Sequence, residues 1–175
     1  MTTTTTRILS ELADREAIRE CLYRYARGVD RLDADMIRSA YWPDVQDTHL
    51  DFHGDAEAFI AWAFPIMGTM DQTMHMIGNV LIALHGEHAD VEAYFYGYHR
   101  VTIEGCKRDV IGAGRYLDRF EKREDEWRII KRLVITDWFR EYPDSADWDA
   151  GLLGQRVDFG RRHPHDPSYS LLKIE

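Results

Sequence analysis

A chain of 175 residues with 45% hydrophobic and 30% charged residues matches one globular domain that needs neither disulfides nor a structural metal to bury its core. Its 22 basic and 31 acidic residues give a formal charge of -9, and without a Lys/Arg block to track phosphates nucleic acid is not an expected partner. No apolar run approaches the roughly 18 residues of a membrane helix, and the cysteines, Cys21 and Cys106, suggest reduced thiols rather than a disulfide framework or zinc cage.

Met1 and the threonines Thr2 to Thr6 lack the basic end and apolar centre of a secretory signal. Residues 1–7 are therefore expected to be a disordered leader and the cytoplasm the compartment. From Asp14, placed to cap a helix, Ile18, Leu22, Tyr25 and Val29 recur at helical spacing and must face something apolar. Gly28 and Asp30 mark the frayed end of this helix, so Asp30 is expected to bend inward near Tyr25. Residues 33–42 read as a short second helix stopped by Pro43.

Residues 45–53 alternate, with Asp47, His49, Asp51 and His53 on one face, and read as one strand with a polar side. Such a face invites a metal reading, but four alternate positions span about 20 Å, so one ion could reach only two neighbours. No metal is expected. Residues 55–64 return to helical character before Pro65 breaks it.

Four long runs rich in β-branched and aromatic residues follow, at 73–84, 90–103, 107–120 and 126–139, separated by short polar turns. The pair Gly112 and Gly114 lies inside such a run rather than opening a helix. No nucleotide-binding fingerprint is present and no cofactor is expected. Helices followed by a meander predict an α+β fold: a cone-shaped barrel whose curved mixed or antiparallel sheet wraps the N-terminal helices around an apolar pocket. The body is assigned to residues 8–142. Residues 143–175, poorer in apolar side chains, are assigned to an arm that packs on the body or on a neighbouring subunit, with a short helix over 147–153.

The segment from Asp14 to Asp30, the run Thr73-Met74-His75-Met76-Ile77-Gly78-Asn79, and the strand pair 114–120 with 127–133 resemble the SnoaL-like branch of the nuclear-transport-factor-2-like superfamily. The resemblance is strongest to its group of scytalone dehydratase, hexachlorocyclohexane dehydrochlorinase and bile-acid 7α-dehydratase. It implies a His/Asp pair in a conical apolar pocket, matched here by Asp30 and His75, with Tyr25 and Arg132 matching accessory positions. The chain departs from the dehydrochlorinase, which carries a lysine where Tyr25 stands, and Asp47 replaces the pocket tryptophan expected on the first strand. The resemblance also implies a homo-oligomer, with a trimer preferred to a dimer.

The chemistry of the implied pair is coherent: a carboxylate bound to one imidazole nitrogen fixes the tautomer and stabilises the imidazolium after proton abstraction. Tyr25 is expected to act as acid or hydrogen-bond donor and Arg132 to hold a leaving group or oxyanion. Asp47, His49, His99, Trp42 and Trp62 are assigned to substrate contacts. The function expected is a cofactor-independent lyase of dehydratase type, or an isomerase, acting on a small hydrophobic aromatic or polycyclic molecule. The alternatives are a carbon–carbon lyase releasing formaldehyde from a lignin-derived diaryl alcohol, and a ligand-binding or assembly module without catalysis.

Overall fold

The computed structural model describes residues 3–172. Helix α1 (Thr3–Arg31) buries Ile18, Leu22, Tyr25 and Val29, the stripe that the spacing predicts. It begins well before Asp14, whose carboxylate caps no helix but accepts from Trp127 Nε1 at 2.8 Å and Lys122 Nζ at 3.1 Å. A helix seeded by a buried stripe propagates upstream where no Pro or Gly stops it. Thr3 to Arg7 of the expected leader are therefore helical, while residues 1 and 2 lie outside the described residues.

The end of α1 is tight rather than frayed. Leu32 takes a left-handed φ of 53°, Asp33 N–H donates to Gly28 O at 2.9 Å and Leu32 N–H to Val29 O at 3.3 Å, which closes a Schellman motif. Gly28 lies inside the helix because a Cβ there would stand 2.8 Å from Ile37 Cγ1 and 3.0 Å from its nitrogen. Asp30 thus projects from the last ordered turn. Helix α2 (Ala34–Ala40) follows, its N-cap Asp33 accepting from Met36 N–H at 3.1 Å.

Strand β1 (Tyr41–His49) absorbs Pro43 in a register shift between Tyr41 and Gln46, so the proline interrupts pairing rather than ending a helix. The single strand expected over 45–53 is a hairpin: Leu50, at φ 56°, turns the chain into β2 (Phe52–Gly54). Helix α3 (Ala56–Gly68), capped by Asp55, continues through Pro65 to a further turn. Four strands follow, β3 (Gln72–His85), β4 (His88–Ile103), β5 (Cys106–Arg123) and β6 (Glu126–Pro143), close to the four predicted runs.

The sheet order is β2-β1-β6-β5-β4-β3, antiparallel throughout except for the parallel β1–β6 pair. The result is an α+β cone with a mixed sheet that stays open, β3 forming one edge. Its core joins the α1 stripe and Phe59, Ile60 and Ala63 of α3 to Tyr116, Phe120, Trp127 and Ile129 of the sheet.

Beyond β6 the chain doubles back over the body. No helix forms over 147–153, because the Asp147 carboxylate accepts from Asp149 and Ala150 N–H at 3.0 Å and Gly151, Leu153 and Gly154 take positive φ. The helix of this arm is α4 (Ser168–Leu171). Trp148 stacks on Phe159 with centroids 4.9 Å apart and lies 4.2 Å from the Arg100 guanidinium, while Tyr169 donates to Asp33 at 2.8 Å.

Candidate active site

Asp30, in the last turn of α1, faces the unpaired edge of β3. Its Oδ2 accepts from the His75 main-chain N–H at 2.7 Å, and its Oδ1 lies 2.8 Å from His75 Nδ1. The carboxylate therefore satisfies an edge-strand donor and orients the ring in one gesture. Burial works to raise the Asp30 pKa, but the hydrogen bonds and charge of His75, helped by Arg31, outweigh it and hold the carboxyl below its ordinary value. An ionised Asp30 makes Nδ1 the donor and leaves Nε2 as the basic nitrogen of the neutral ring.

Nε2 lies over Gly97, its pairing partner on β4; a Cβ at Gly97 would stand 3.2 Å from Nε2 and 3.1 Å from His99 Cε1. The glycine makes room for two imidazoles that meet edge to face with centroids 5.1 Å apart. Both rings border a cavity of about 140 Å³ whose other walls are Tyr25, Val29, His49, Leu50, Phe59, Trp62, Ala63, Ile66, Met67 and Met70. Apart from the histidines and the tyrosine, this lining is apolar.

His49 lies against the rings of Phe59 and Trp62, at 5.5 and 5.9 Å, and its buried Nδ1 makes no hydrogen bond among the described residues. Burial, with the nearby Arg132 charge, pushes its pKa down to about 3. Burial and the neighbouring His75 likewise push His99 down to about 4. Both are neutral at physiological pH. Trp62, stacked on Phe52 at 5.2 Å, closes the same wall.

Behind this cavity lies a second buried polar layer. Arg132, fully buried, donates to Asp118 through Nε at 2.8 Å and Nη2 at 2.6 Å. Its guanidinium stacks between the rings of Tyr25 and Tyr116, at 4.0 and 4.1 Å. Nη1 reaches the Tyr41 hydroxyl at 3.4 Å, which donates to Asp47 Oδ2 at 2.5 Å.

These distances correct three expectations. Arg132 does not border the cavity: the Tyr25 ring, which does, stacks on its guanidinium, and Asp118 occupies its fork. Asp47 is sealed in the same layer, where burial, opposed by Arg132 and Tyr41, pushes its pKa up to about 6. Trp42 is on the far side of the sheet, its Nε1 donating to Glu121 O at 2.9 Å and its ring flanked by Arg123 and Arg128.

Tyr25 keeps its place on the cavity wall, but burial, partly offset by Arg132, raises its pKa, so its hydroxyl is a reluctant acid. Of the alternating polar face, only Asp47 and His49 are inside; Asp51 is exposed, and the exposed His53 lies 3.1 Å from Thr48 Oγ1. Among the described residues, no three His, Cys, Asp or Glu side chains converge as metal ligands would.

Sequence reasoning missed Arg162. From the arm it reaches under the pair, donating to the Asp30 carbonyl and to Thr73 Oγ1. Nothing in its neighbourhood, Gly160-Arg161-Arg162-His163-Pro164, carries a periodicity or motif that points there.

The fold and site together are an open α+β cone that carries a partly buried acid–histidine pair beside a largely apolar cavity. Residues 10–133 match the model of the SnoaL-like domain, and the chain belongs to that family. No curated protein matches it significantly. Among solved structures, a hexachlorocyclohexane dehydrochlorinase (LinA) of type 2 superposes with a TM-score of 0.71 at 19% identity, over 82% of this chain and 99% of that one. A candidate scytalone dehydratase from Novosphingobium aromaticivorans gives 0.67 at 22% identity, over 78% and 92%. The Kfla4162 protein of Kribbella flavida gives 0.68 at 17% identity, over 74% and 95%. At these identities the likeness is one of fold.

Proposed function

We propose that this protein is a cofactor-independent lyase or isomerase that removes a proton from a small apolar molecule held beside His75. In this reading Nε2 takes the proton and Asp30 stabilises the resulting imidazolium. His49, whose ring lines the facing wall, contacts a departing hydroxyl or a carbonyl through the ring edge that borders the cavity, the task that the sequence assigns to Arg132. Tyr25 supplies a further hydrogen bond from the cavity wall.

The observation that carries the reading is the 2.8 Å contact of Asp30 with the ring of a histidine that borders an otherwise largely apolar cavity. Membership of the SnoaL-like family and the shared fold with a dehydrochlorinase support it. The cavity volume narrows the substrate: about 140 Å³ is close to the roughly 150 Å³ that takes a benzene ring. One ring fits inside, and a polycyclic molecule would have to extend past Leu50 and Ile66.

The test is a screen of single-ring alcohols, halides and enolisable ketones, with water or halide loss and double-bond migration followed by mass spectrometry and ultraviolet absorbance. His75→Ala and Asp30→Asn, shown to be folded, should each lose about a hundredfold or more in kcat. Full activity in both folded variants would refute the proposal.

A further inference from the structure

We propose that Arg162 of the C-terminal arm is a positioning residue for the Asp30–His75 pair, so that the site is incomplete without the arm. The inference rests on the reading of that pair as a proton-abstracting site. Arg162 Nη1 donates to the Asp30 carbonyl and, at 2.6 Å, to Thr73 Oγ1; Nη2 donates to the carbonyls of Met67 and Met70 at 3.2 and 3.3 Å.

One guanidinium thereby ties the last turn of α1, the end of α3 and the start of β3. Those elements carry Asp30, the cavity residue Met67 and His75, and the turn between α3 and β3 carries Met70. Two of its acceptors, Asp30 O and Met67 O, belong to the last turns of helices, where carbonyls lack intrahelical partners and a cation is favoured. Only a planar fork with several donors can meet four such acceptors at once; an ammonium group could not.

The arm delivers this fork through further contacts. His163 N–H donates to Arg31 O at 2.8 Å, Gln72 Nε2 to Gly160 O at 3.2 Å, and Asp166 lies 3.6 Å from Arg31 Nε. The Asp30 side chain can hold both the ring and the main chain of His75 only while its own backbone is fixed relative to β3, and Arg162 ties the Asp30 carbonyl to the Thr73 hydroxyl of that strand. Its charge also lowers the proton affinity of His99. A simple strap would change stability and leave the histidine rings as they are.

The experiment is ring-nitrogen NMR of the full-length, histidine-labelled protein, which reads tautomer and titration without a substrate. In the wild type, His75 should be the Nδ1–H tautomer. In folded Arg162→Ala, the His75 signals should move towards a mixture of tautomers and the His99 titration should shift upward. His85 and His88, at the β3–β4 turn, should not change, and added guanidinium should restore the wild-type spectrum.

Arg162→Lys keeps the charge without the fork, so it should spare the His99 titration while still disturbing His75. Unchanged His75 signals in folded Arg162→Ala, or a change that guanidinium does not reverse, would overturn the proposal. If that variant does not fold, Thr73→Val, which removes one acceptor with little change of shape, should move His75 in the same direction by less; unchanged His75 signals there would also overturn it. On a substrate found by the screen, Arg162→Ala should lower kcat at least about tenfold with KM little altered. Activity retained by His75→Ala would remove the functional reading and leave the NMR result standing.

Discussion

The Asp30 carboxylate holds His75 twice, by its ring at 2.8 Å and by its main-chain N–H at 2.7 Å. An amide at this position can keep both contacts only by donating from Nδ2 to Nδ1 of the opposite His75 tautomer, so Asp30→Asn gives up the charge-assisted strength of the two bonds. We expect it to destabilise the protein by about 1–3 kcal/mol and to speed hydrogen exchange at the β3 edge around His75. Chemical denaturation and exchange mass spectrometry measure both, and an unchanged exchange rate at His75 would contradict the double contact.

Gly97→Ala should separate geometry from stability. Its Cβ would press within 3.2 Å of His75 Nε2 and 3.1 Å of His99 Cε1, displacing two rings that meet over the glycine. Stability should fall by no more than about 1–2 kcal/mol, while turnover should drop at least about tenfold because a reacting nitrogen has moved. Equal losses in stability and activity, traced by thermal melts beside initial rates, would mean that the glycine serves packing alone.

The Arg132–Asp118 pair predicts a different pattern. Removing one partner strands a buried charge, so Arg132→Met should cost about 3–5 kcal/mol. Adding Asp118→Leu should recover part of that loss, because the stranded charge goes with it. A double mutant cycle by urea unfolding checks the coupling, and additive losses would show that the two side chains do not act as a unit.

Stability should depend on pH through three largely enclosed groups with opposite signs. His99 and His49 lie at about 4 and 3 in the fold against an ordinary 6.5. Between those values the unfolded chain binds more protons, and stability falls as pH drops below 6.5. Asp47, at about 6 against 3.8, binds its proton in the native state, so the stability linked to its neutral form is lost as pH rises from about 4 to 6. Asp47→Asn should therefore raise the melting temperature at pH 7 and leave it nearly unchanged at pH 4. His99→Gln should flatten the loss between pH 6.5 and 4. Melting curves across that range test both signs.

Much of the fold was legible because its signals are local. The β3 to β6 runs alternate over long stretches and meet at short polar turns, and the α1 stripe has helical spacing. Asp14 misled because an acid before a helical stripe looks like a cap, whereas its partners, Lys122 and Trp127, come from the distant β5 and β6. Leu50 turns left-handed without the glycine that would have announced a hairpin, and Pro65 is accommodated near the end of α3. The parallel β1–β6 pair joins the two ends of the body and leaves no trace in either strand.

The contact between Asp30 and His75 is legible in the sequence only through the resemblance. The burial of Arg132 behind Tyr25 and the reach of Arg162 depend on three-dimensional neighbours that no spacing encodes. Trp42 looked like a pocket aromatic because its residue type is right, but it lies on the face of the sheet opposite the cavity.

In the proposed reaction the neutral His75 ring, oriented through Asp30, removes a proton at Nε2 from a molecule in the apolar cavity, and Asp30 stabilises the imidazolium that results. The most direct measure of this step is the rate of carbon–hydrogen to carbon–deuterium exchange in heavy water on a substrate from the screen, for the wild type against folded His75→Gln and Asp30→Asn. Exchange should be slowed by about 10²–10⁴ in the His75 variant and by a smaller factor in the Asp30 variant. Exchange at the wild-type rate in both would contradict this step.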